Sequence, residues 1–457
     1  MEEQHLQYLQ SFEYENAQEY QEGPESYLTK SSLPPASLAS RRVVGMVLDD
    51  YYPGNLRVKR EALALAEAGY EVHLLCRAEA GRPGAEYDGV VYIKRIVPDA
   101  VSWTLPVLGW QWQWPYKGVV SDFFRVKWAI DFRWGRWLKD WMDEVDVDVL
   151  HVHDLPLLPT CRWVADRYRT KKVSVIADLN ENYPALKGYQ SGLKNPTIQR
   201  RVEDKWLHIE RDALLDSTHI IVPTHASMAR LEKSWVEPER VTVVENAVDL
   251  EAYQHIVPDV NIAHQYKTRF VVAYAGQLDE PFRGVELLIR SIPHLLADIP
   301  NLSVLLLGNA QSEYAEQLLK QAYDLGVGDV LEMIVGLTDE DVVHYLDVAD
   351  VCVWPSLKES YTEAIFPQKV TLAHALGKAI VTSDCQPLAD YISASEGGRV
   401  FASGDVKELA ETICYLERDL DMRQRLGKSG RQYVKQTANW ARAKKSLLTR
   451  YADILPF

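Results

Sequence analysis

Short apolar runs alternate with helical stretches along almost the whole chain, and this alternation restricts the fold more than any other feature. Strand-like runs occur in two series, first at 41–48, 70–76, 89–97, 145–153, 172–179, 218–224 and 241–247, and then at 270–276, 302–308, 330–336, 351–356 and 379–384. Strands that alternate with helices are typical of parallel sheets covered on both faces. The sequence therefore predicts an α/β chain with two doubly wound, Rossmann-like parallel sheets.

The length of the chain, 457 residues, exceeds what one hydrophobic core usually serves, so two domains are expected. We predict a flexible acidic tail over 1–40, where seven Glu accompany one Lys, and a first Rossmann-like domain over 41–250. A linker over 251–268 would lead to a second domain over 269–430. Helical periodicity without a strand signal predicts that 431–457 forms a helix packing back on the first domain.

Composition excludes several classes of protein. A formal net charge of -15 repels phosphate backbones, so a nucleic-acid partner is not expected. The five cysteines show no paired spacing, which favours free thiols over disulfides or structural zinc. The start of the chain lacks a basic, apolar leader, and no run of about 18 apolar residues occurs. We therefore expect a cytoplasmic protein without a spanning helix.

The loop after the first strand reads DDYYPGNLRV and contains a single glycine. A dinucleotide-binding Rossmann domain would have G-x-G-x-x-G at this place, so a nicotinamide cofactor is not indicated. Asp49, Asp50, Tyr51 and Asn55 could line a cleft at the carboxyl end of the strand, or the segment could be an ordinary turn. The sequence leaves both interpretations open.

The second series begins with YAGQLDEPFRGVELLI, at 274–289, which has the chemistry of a diphosphate site. Gly276 lets the backbone approach a ligand, Arg283 is a bidentate donor, and the helix that follows Gly284 presents unpaired amides. Further on, Lys369 lies between a strand and a helix and could contact the same phosphates. A surface arginine beside a helix cap and a solvated lysine are the alternatives.

These segments resemble the landmarks of family 4 glycosyltransferases over about residues 42–452. Asn246, Val248 and Asp249 match the Asn-x-Val-Asp that closes the first domain of that family, and Arg283-Gly284 matches its R/K-G motif. The P-x-K that marks one subgroup is matched at 367–369, and DVLHVHDLPLLP at 148–159 and DLNENYP at 178–184 are further similarities. The resemblance implies a GT-B fold, with an acceptor-binding first domain and a donor-binding second domain.

The resemblance also implies a retaining enzyme that moves a sugar from a nucleotide-diphosphate donor to a hydroxyl acceptor, without a metal or other cofactor. It assigns contacts with the diphosphate to Gly276, Arg283 and Lys369, and it places Gly336 near the nucleobase. Gly284 belongs to the same predicted donor site. His153 would reach the transferred sugar from the first domain. The predicted catalytic residues are thus His153, Arg283 and Lys369.

The chain departs from the family pattern in the predicted donor site. The paired glutamates of many relatives fall on Ala364 and Leu372, and only Glu359 and Glu363, which lie nearby, could replace them. The family arginine after the first glycine is Gln277, and the histidine of D-x-H-E is Asn180. Two hypotheses follow: an active transferase, or a catalytically silent module that binds a nucleotide sugar or a partner subunit.

The segment 101–141 has the most unusual composition in the chain. It contains eight of the 13 tryptophans together with cationic side chains: Trp103, Trp110, Trp112, Trp114, Trp128, Trp134, Trp137 and Trp141, with Lys117, Arg125, Lys127, Arg133, Arg136 and Lys139. Aromatic rings beside cations suit a peripheral contact with the inner face of a membrane, or a groove for a lipid-linked or polysaccharide acceptor. The alternative is that the tryptophans pack against the sheet and the cations remain solvated.

Overall fold

The computed structural model describes residues 42–96, 130–168, 170–191, 195–234, 236–253, 255–310 and 312–456. The predicted acidic tail over 1–40 lies outside these ranges, and so do residues 101–129 of the tryptophan-rich segment.

The first lobe is built from alternating strands and helices. They are β1 (Val43–Tyr51), α1 (Leu56–Glu67), β2 (Glu71–Arg77), β3 (Ala85–Asp88), β4 (Val91–Ile96), α2 (Phe132–Val145), β5 (Val149–His153), α3 (Leu158–Ala165), β6 (Ser174–Asp178), α4 (Tyr183–Gln190), α5 (Pro196–Leu215), β7 (His219–Val222), α6 (His225–Glu232) and β8 (Val241–Val243). Polar residues fix where the helices begin: Asn55 accepts the backbone N–H of Val58 (3.2 Å) at α1, and Asp131 caps α2 in the same way. Asn55, a candidate for the cleft, therefore caps a helix.

The second lobe repeats this pattern after two short helices. The elements are α7 (Leu250–Tyr253), α8 (Val260–Tyr266), β9 (Phe270–Ala275), α9 (Val285–Asp298), β10 (Leu302–Leu307), α10 (Glu313–Asp324), β11 (Leu331–Ile334), α11 (Asp339–Asp347), β12 (Val351–Trp354), α12 (Gln368–Ala375), β13 (Ala379–Ser383), α13 (Gln386–Ser395), β14 (Gly398–Phe401), α14 (Val406–Arg418), α15 (Leu420–Gln436) and α16 (Trp440–Ile454). Helix α8 and most of α7 fall within the predicted linker, and Asp259 caps α8.

The two sheets have related strand orders. The order in the first is β3-β4-β2-β1-β5-β6-β7-β8, parallel except for β3, and in the second it is β11-β10-β9-β12-β13-β14, parallel throughout. The order therefore reverses between β1 and β5 in one sheet and between β9 and β12 in the other. Such a switch point opens a crevice at the carboxyl ends of the strands, where open α/β sheets bind ligands. The predicted fold of two Rossmann-like sheets is confirmed.

The last helix belongs to the core of the first lobe. Trp440, Leu447 and Tyr451 of α16 are buried against one face of the first sheet, together with Val44 and Met46 of β1. The chain thus crosses from the second lobe back to the first between α15 and α16, after Gln436. The second sheet has its own core, formed mainly by β9 to β13 and the helices beside them.

The described part of the tryptophan-rich segment packs partly into the protein. Trp134 and Trp141 are buried, and Trp134 donates its indole N–H to Asp49 (3.1 Å), whereas Trp137 is exposed. Gly45 of β1 is required here because a Cβ would come within 2.9 Å of the Trp141 ring. The packing interpretation therefore holds for Trp134 and Trp141. None of the described helices combines the length and the apolar character needed to cross a bilayer.

All five cysteines are buried and free, as their spacing predicts.

Candidate active site

The first side of the site is a buried ion pair at the carboxyl end of β6. The Arg57 guanidinium, on α1, donates to both carboxylate oxygens of Asp178, at 3.1 Å and 2.8 Å, and also to the carbonyl of Val244 (2.7 Å) and to Asn246 (2.9 Å). The Arg57 side chain is 7% exposed and that of Asp178 is fully buried. Although burial alone would raise it, Arg57 and two histidines hold the pKa of Asp178 well below its usual range. Asp178 is therefore a carboxylate.

This carboxylate fixes the tautomer of His153. His153 ends β5 and its Nδ1 lies 3.0 Å from Asp178 Oδ2. An ionised carboxylate only accepts hydrogen bonds, so Nδ1 carries the proton and Nε2 holds a lone pair. Burial and the neighbouring His151 lower the pKa of His153 to about 4, so the ring is neutral at neutral pH. His153 Nε2 is buried without a hydrogen-bond partner among the described residues, and it is a ready acceptor for a ligand hydroxyl.

A second layer supports this histidine. The His151 ring stacks on that of His153 with centroids 4.6 Å apart, and its Nδ1 shares a hydrogen bond of 2.7 Å with the Tyr451 hydroxyl on α16. Glu61 lies 3.5 Å from His151 Nε2, and burial raises the pKa of Glu61 well above its usual range. By distance alone, Glu61, His151, His153 and Asp178 could surround a metal ion. Arg57 already supplies positive charge there, 3.1 Å from Glu61 and 2.8 Å from Asp178.

The opposite side of the site is the segment between β9 and α9. A short 3-10 turn, Pro281–Arg283, projects Arg283, whose guanidinium contacts Glu280 Oε2 (3.2 Å) and Gln277 Oε1 (3.0 Å). The Arg283 side chain is 13% exposed and lies against the rings of Phe282 and Tyr361, 5.2 Å and 6.0 Å from their centroids. Aromatic and acidic neighbours thus hold the predicted phosphate-binding cation in one orientation.

Gly284 is required for this turn. Its φ is +69°, and a Cβ would come within 1.9 Å of the Pro355 carbonyl oxygen after β12. Replacing Gly284 with Ala is expected to lower the free energy of unfolding by about 1 to 3 kcal/mol, because the backbone must shift and adopt a strained φ. Urea denaturation measures the loss. Gly328→Ala is the control because an added Cβ there meets no atom within 4 Å, and an equal loss in both variants would contradict the argument.

Three of the other predicted donor contacts occupy the following places. Gly276 directly follows β9, and Gly336, with φ +71°, lies between β11 and α11. Lys369 lies in the first turn of α12 and forms an ion pair with Asp339, the first residue of α11. Lys369 is thus beside the segment of Gly336, and its partner in this structure is a carboxylate.

A loop of the second lobe, residues 357–367 and named here the cleft loop, is attached to the first lobe at three points. Tyr361 donates its hydroxyl hydrogen to Glu181, and Asn182 donates to the Ser360 carbonyl (2.8 Å). Thr224 and Ser227 both donate to the Ala364 carbonyl, at 3.0 Å and 2.6 Å. An apolar cluster of Phe282, Tyr361, Ala185, Leu186, Tyr189 and Ile365 fills the space between these contacts. The two lobes therefore meet directly beside Arg283.

The positions of the replaced family glutamates have different surroundings. Leu372 is 2% exposed in the core of the second lobe, and Ala364 is buried in the contact with α6. Glu363 accepts the backbone N–H of Gln386 (3.0 Å) and so caps α13. Glu359 is exposed. Burial raises the pKa of the Tyr189 phenol, and the nearby charge of Glu359 adds to this effect. Glu359 thus has its carboxylate near Tyr189 of the first lobe, whereas that of Glu363 is engaged at the start of α13.

Carboxyl groups with raised pKa values surround the site. Burial, with Glu181 and Asp178 as further causes, raises the pKa of Asp154 to about 8, and its backbone has φ 64°. Burial also raises the pKa of Glu181 and of Glu280, although Arg283 opposes the shift in both. Several carboxyl groups with displaced pKa values in one crevice are typical of functional sites.

Sequence reasoning missed Arg57, Glu61, His151 and Tyr361 as members of the site. Arg57 and Tyr361 stand in no motif, and their partners are 121 and 180 residues away along the chain. Asp178 and Glu181 do lie within DLNENYP, so that segment contained a signal for them. His151 precedes His153 by two residues on one strand, which places both on the same face of the sheet.

Comparisons with known proteins agree with this geometry. Residues 55–252 match the sequence model of the family described as "Glycosyltransferase Family 4", and residues 259–433 match that of "Glycosyl transferases group 1". D-inositol 3-phosphate glycosyltransferase of Frankia alni is 26% identical in an alignment of 258 positions that covers 54% of this chain. The match spans 61% of the length of that relative.

Solved structures share the fold. Sucrose-phosphate synthase from Thermosynechococcus elongatus superposes with a TM-score of 0.70 at 18% identity, over 91% of this chain and 99% of that one. Anabaena HepE in complex with UDP-glucose gives a TM-score of 0.65 at 13% identity, over 90% and 99% of the two chains. Two facing Rossmann-like lobes, the matched motifs and the consecutive family matches lead to one conclusion: this chain has the GT-B fold, and its two lobes are similar in turn to glycosyltransferase family 4 and to the group 1 glycosyl transferases.

Proposed function

We propose that the protein is a retaining glycosyltransferase that moves a sugar from a nucleotide-diphosphate donor to a hydroxyl acceptor. One observation carries the proposal: Arg283 from one switch point and the Arg57–Asp178–His153 group from the other lie at the two sides of the boundary between the lobes. A relative of the same fold, HepE, has been solved with UDP-glucose, which supports a nucleotide sugar as donor.

In the proposed reaction the bond between the anomeric carbon and the diphosphate oxygen breaks, and a bond from that carbon to the acceptor oxygen forms on the same face. The acceptor proton passes to the departing diphosphate. Arg283 offsets the negative charge that gathers on that group, and the amides that follow Gly284 at the start of α9 add to this effect. Gly276 leaves room for the diphosphate, while Lys369 and Gly336 would contact the nucleotide further along the second lobe.

His153 would orient the sugar. Its Nε2 accepts a hydrogen bond from a sugar hydroxyl, because Asp178 keeps the proton on Nδ1. Arg57 holds Asp178 in turn, so the direction of the ring is fixed before the donor binds. Glu359 is the better candidate for a hydroxyl of the donor ribose, since Glu363 caps α13.

Incubation of the purified protein with UDP-, GDP- and ADP-sugars tests the proposal. We expect slow release of free nucleotide from one donor even without an acceptor. Chromatography or a coupled enzyme assay measures this release. His153→Ala should abolish this release, whereas His255→Ala, at an exposed position within the predicted linker, should not. Heat stabilisation by a nucleotide sugar with no turnover, also with cell-derived acceptors, would instead support the silent binding module.

A further inference from the structure

A cavity of about 270 Å³ lies between the lobes on the side of β8, and none of the proposed transfer chemistry uses it. Its lining is mostly apolar and comes from both lobes, with Glu245 and Ala247 after β8, Phe366 at the end of the cleft loop, Tyr391 on α13 and Tyr433 on α15. Thr224 of the first lobe also lines the cavity, and it donates a hydrogen bond to Ala364 of the cleft loop. The cavity is small enough to select a ligand of few atoms.

Three aromatic rings form one wall of this cavity. The Tyr391 ring packs against Phe366 and Tyr433, with centroids 4.9 Å and 5.6 Å apart. The Tyr391 hydroxyl is engaged with His374 Nδ1 at 2.8 Å, which fixes the ring in place. Rigid rings whose faces carry negative charge density attract cations, most strongly where water is excluded.

The Glu245 carboxylate faces the same space. It receives no hydrogen bond and makes no ion pair within the part of the chain that the structure describes, and burial raises its pKa. His225, which also lines the cavity, and Arg442 oppose this shift; both are exposed to solvent, and neither forms an ion pair with Glu245. Glu245 is also close enough to Tyr391 to contribute, after burial and Tyr433, to the raised pKa of that phenol. Glu245 is thus a half-buried carboxylate beside three rings, and none of the described residues forms an ion pair with it.

We infer that this cavity is a binding site for a small organic cation, an amine or quaternary ammonium group held by Glu245 and the rings of Phe366, Tyr391 and Tyr433. The carboxylate neutralises the charge, and the rings replace the water that the cation loses. A neutral ligand of equal shape would gain only from apolar contact. The inference does not depend on the donor or the acceptor of the transfer reaction.

Isothermal titration calorimetry with choline and with its uncharged isostere, 3,3-dimethylbutan-1-ol, tests the inference on the full chain. We expect choline to bind at least about tenfold more tightly than the isostere, because only choline has the charge that Glu245 and the rings recognise. Glu245→Gln should remove this preference, and Tyr433→Leu should weaken choline while leaving the isostere almost unchanged. Glu239→Gln, an exposed position just before β8, is the matched control.

Melting curves of all the variants establish that they are folded. Equal affinity for the two probes would show an apolar cavity without cation recognition and would overturn the inference. The same conclusion follows if choline gives no binding heat, or if Glu245→Gln binds choline as well as the unaltered protein does.

Discussion

Replacing Arg283 with alanine is expected to reduce sugar transfer by about 100- to 1,000-fold, the usual effect of removing one donor to developing charge in a transition state. The Arg283 side chain is 13% exposed, and Glu280, Gln277 and the Tyr361 ring fix the direction of its guanidinium. Its charge is thus already oriented before the diphosphate departs. Steady-state rates, measured with the donor that the nucleotide-release assay identifies, give the size of the effect. The rate of Arg283→Lys should lie between those of the unaltered protein and Arg283→Ala, because lysine keeps the charge but lacks the bidentate fork.

Arg290→Ala is the matched control for this experiment. Arg290 is exposed on α9, about two turns beyond Arg283, so its loss should leave the transfer rate unchanged. A near-normal rate in Arg283→Ala would contradict the role of this residue. Unchanged rates in both variants, together with unaltered donor affinity, would move the phosphate contact elsewhere in the second lobe, with Lys369 as the next candidate.

Replacing Asp178 with asparagine is expected to lower the free energy of unfolding by about 3 to 5 kcal/mol, since it removes the carboxylate that accepts two hydrogen bonds from the buried guanidinium of Arg57. Glu61 then remains as its acidic neighbour, and burial raises the pKa of that carboxyl group well above its usual range. Asparagine keeps the size of the side chain, so the loss reports the charge. His153 also loses the carboxylate that holds its Nδ1 proton, and transfer should fall at the same time. Urea denaturation at neutral pH measures the stability, with Asp212→Asn, 75% exposed, as the control.

Acid provides an independent check on the same pair. The pKa of Asp178 is depressed in the folded protein, so its stabilising effect is present above the ordinary aspartate pKa of about 3.9 and is lost as the pH falls towards the folded value. The difference in stability between the unaltered protein and Asp178→Asn should therefore narrow below about pH 4. A difference that stays constant through this range would contradict the ion-pair interpretation.

The fold was predictable because each Rossmann unit is specified locally. In both lobes an apolar strand, such as 270–276, is followed by a helix and the next strand within about 30 residues. This strand-helix-strand unit is the one that builds a parallel sheet. The prediction of a phosphate site in the segment with Gly276 and Arg283 rests on a similar pattern, because a glycine at the end of a strand, followed by an arginine and a helix N-terminus, is well suited to bind phosphate. The fold and this prediction thus both rest on short-range patterns.

The partners of these residues could not be predicted in this way. The contact of Arg57 with Asp178 and that of Tyr361 with Glu181 depend on how strands and lobes meet, and spacing along the chain contains no information about them. The same holds for Asp49, whose partners Arg77 (2.7 Å) and Trp134 lie 28 and 85 residues away along the chain. Helix α8 was missed because its short length gives a weak periodic signal within a polar stretch.

Helix α16 has a consequence for how the protein is made. The first lobe begins at β1, but Trp440, Leu447 and Tyr451 complete one face of its core, and Tyr451 also supports His151 behind His153. On the ribosome, domains usually fold in the order of synthesis. Here the first lobe exposes part of its apolar interior until α16 emerges, after the whole of the second lobe has been synthesised. The core of the first lobe is therefore expected to close last, and proteolytic loss of α16 would damage the lobe that was synthesised first.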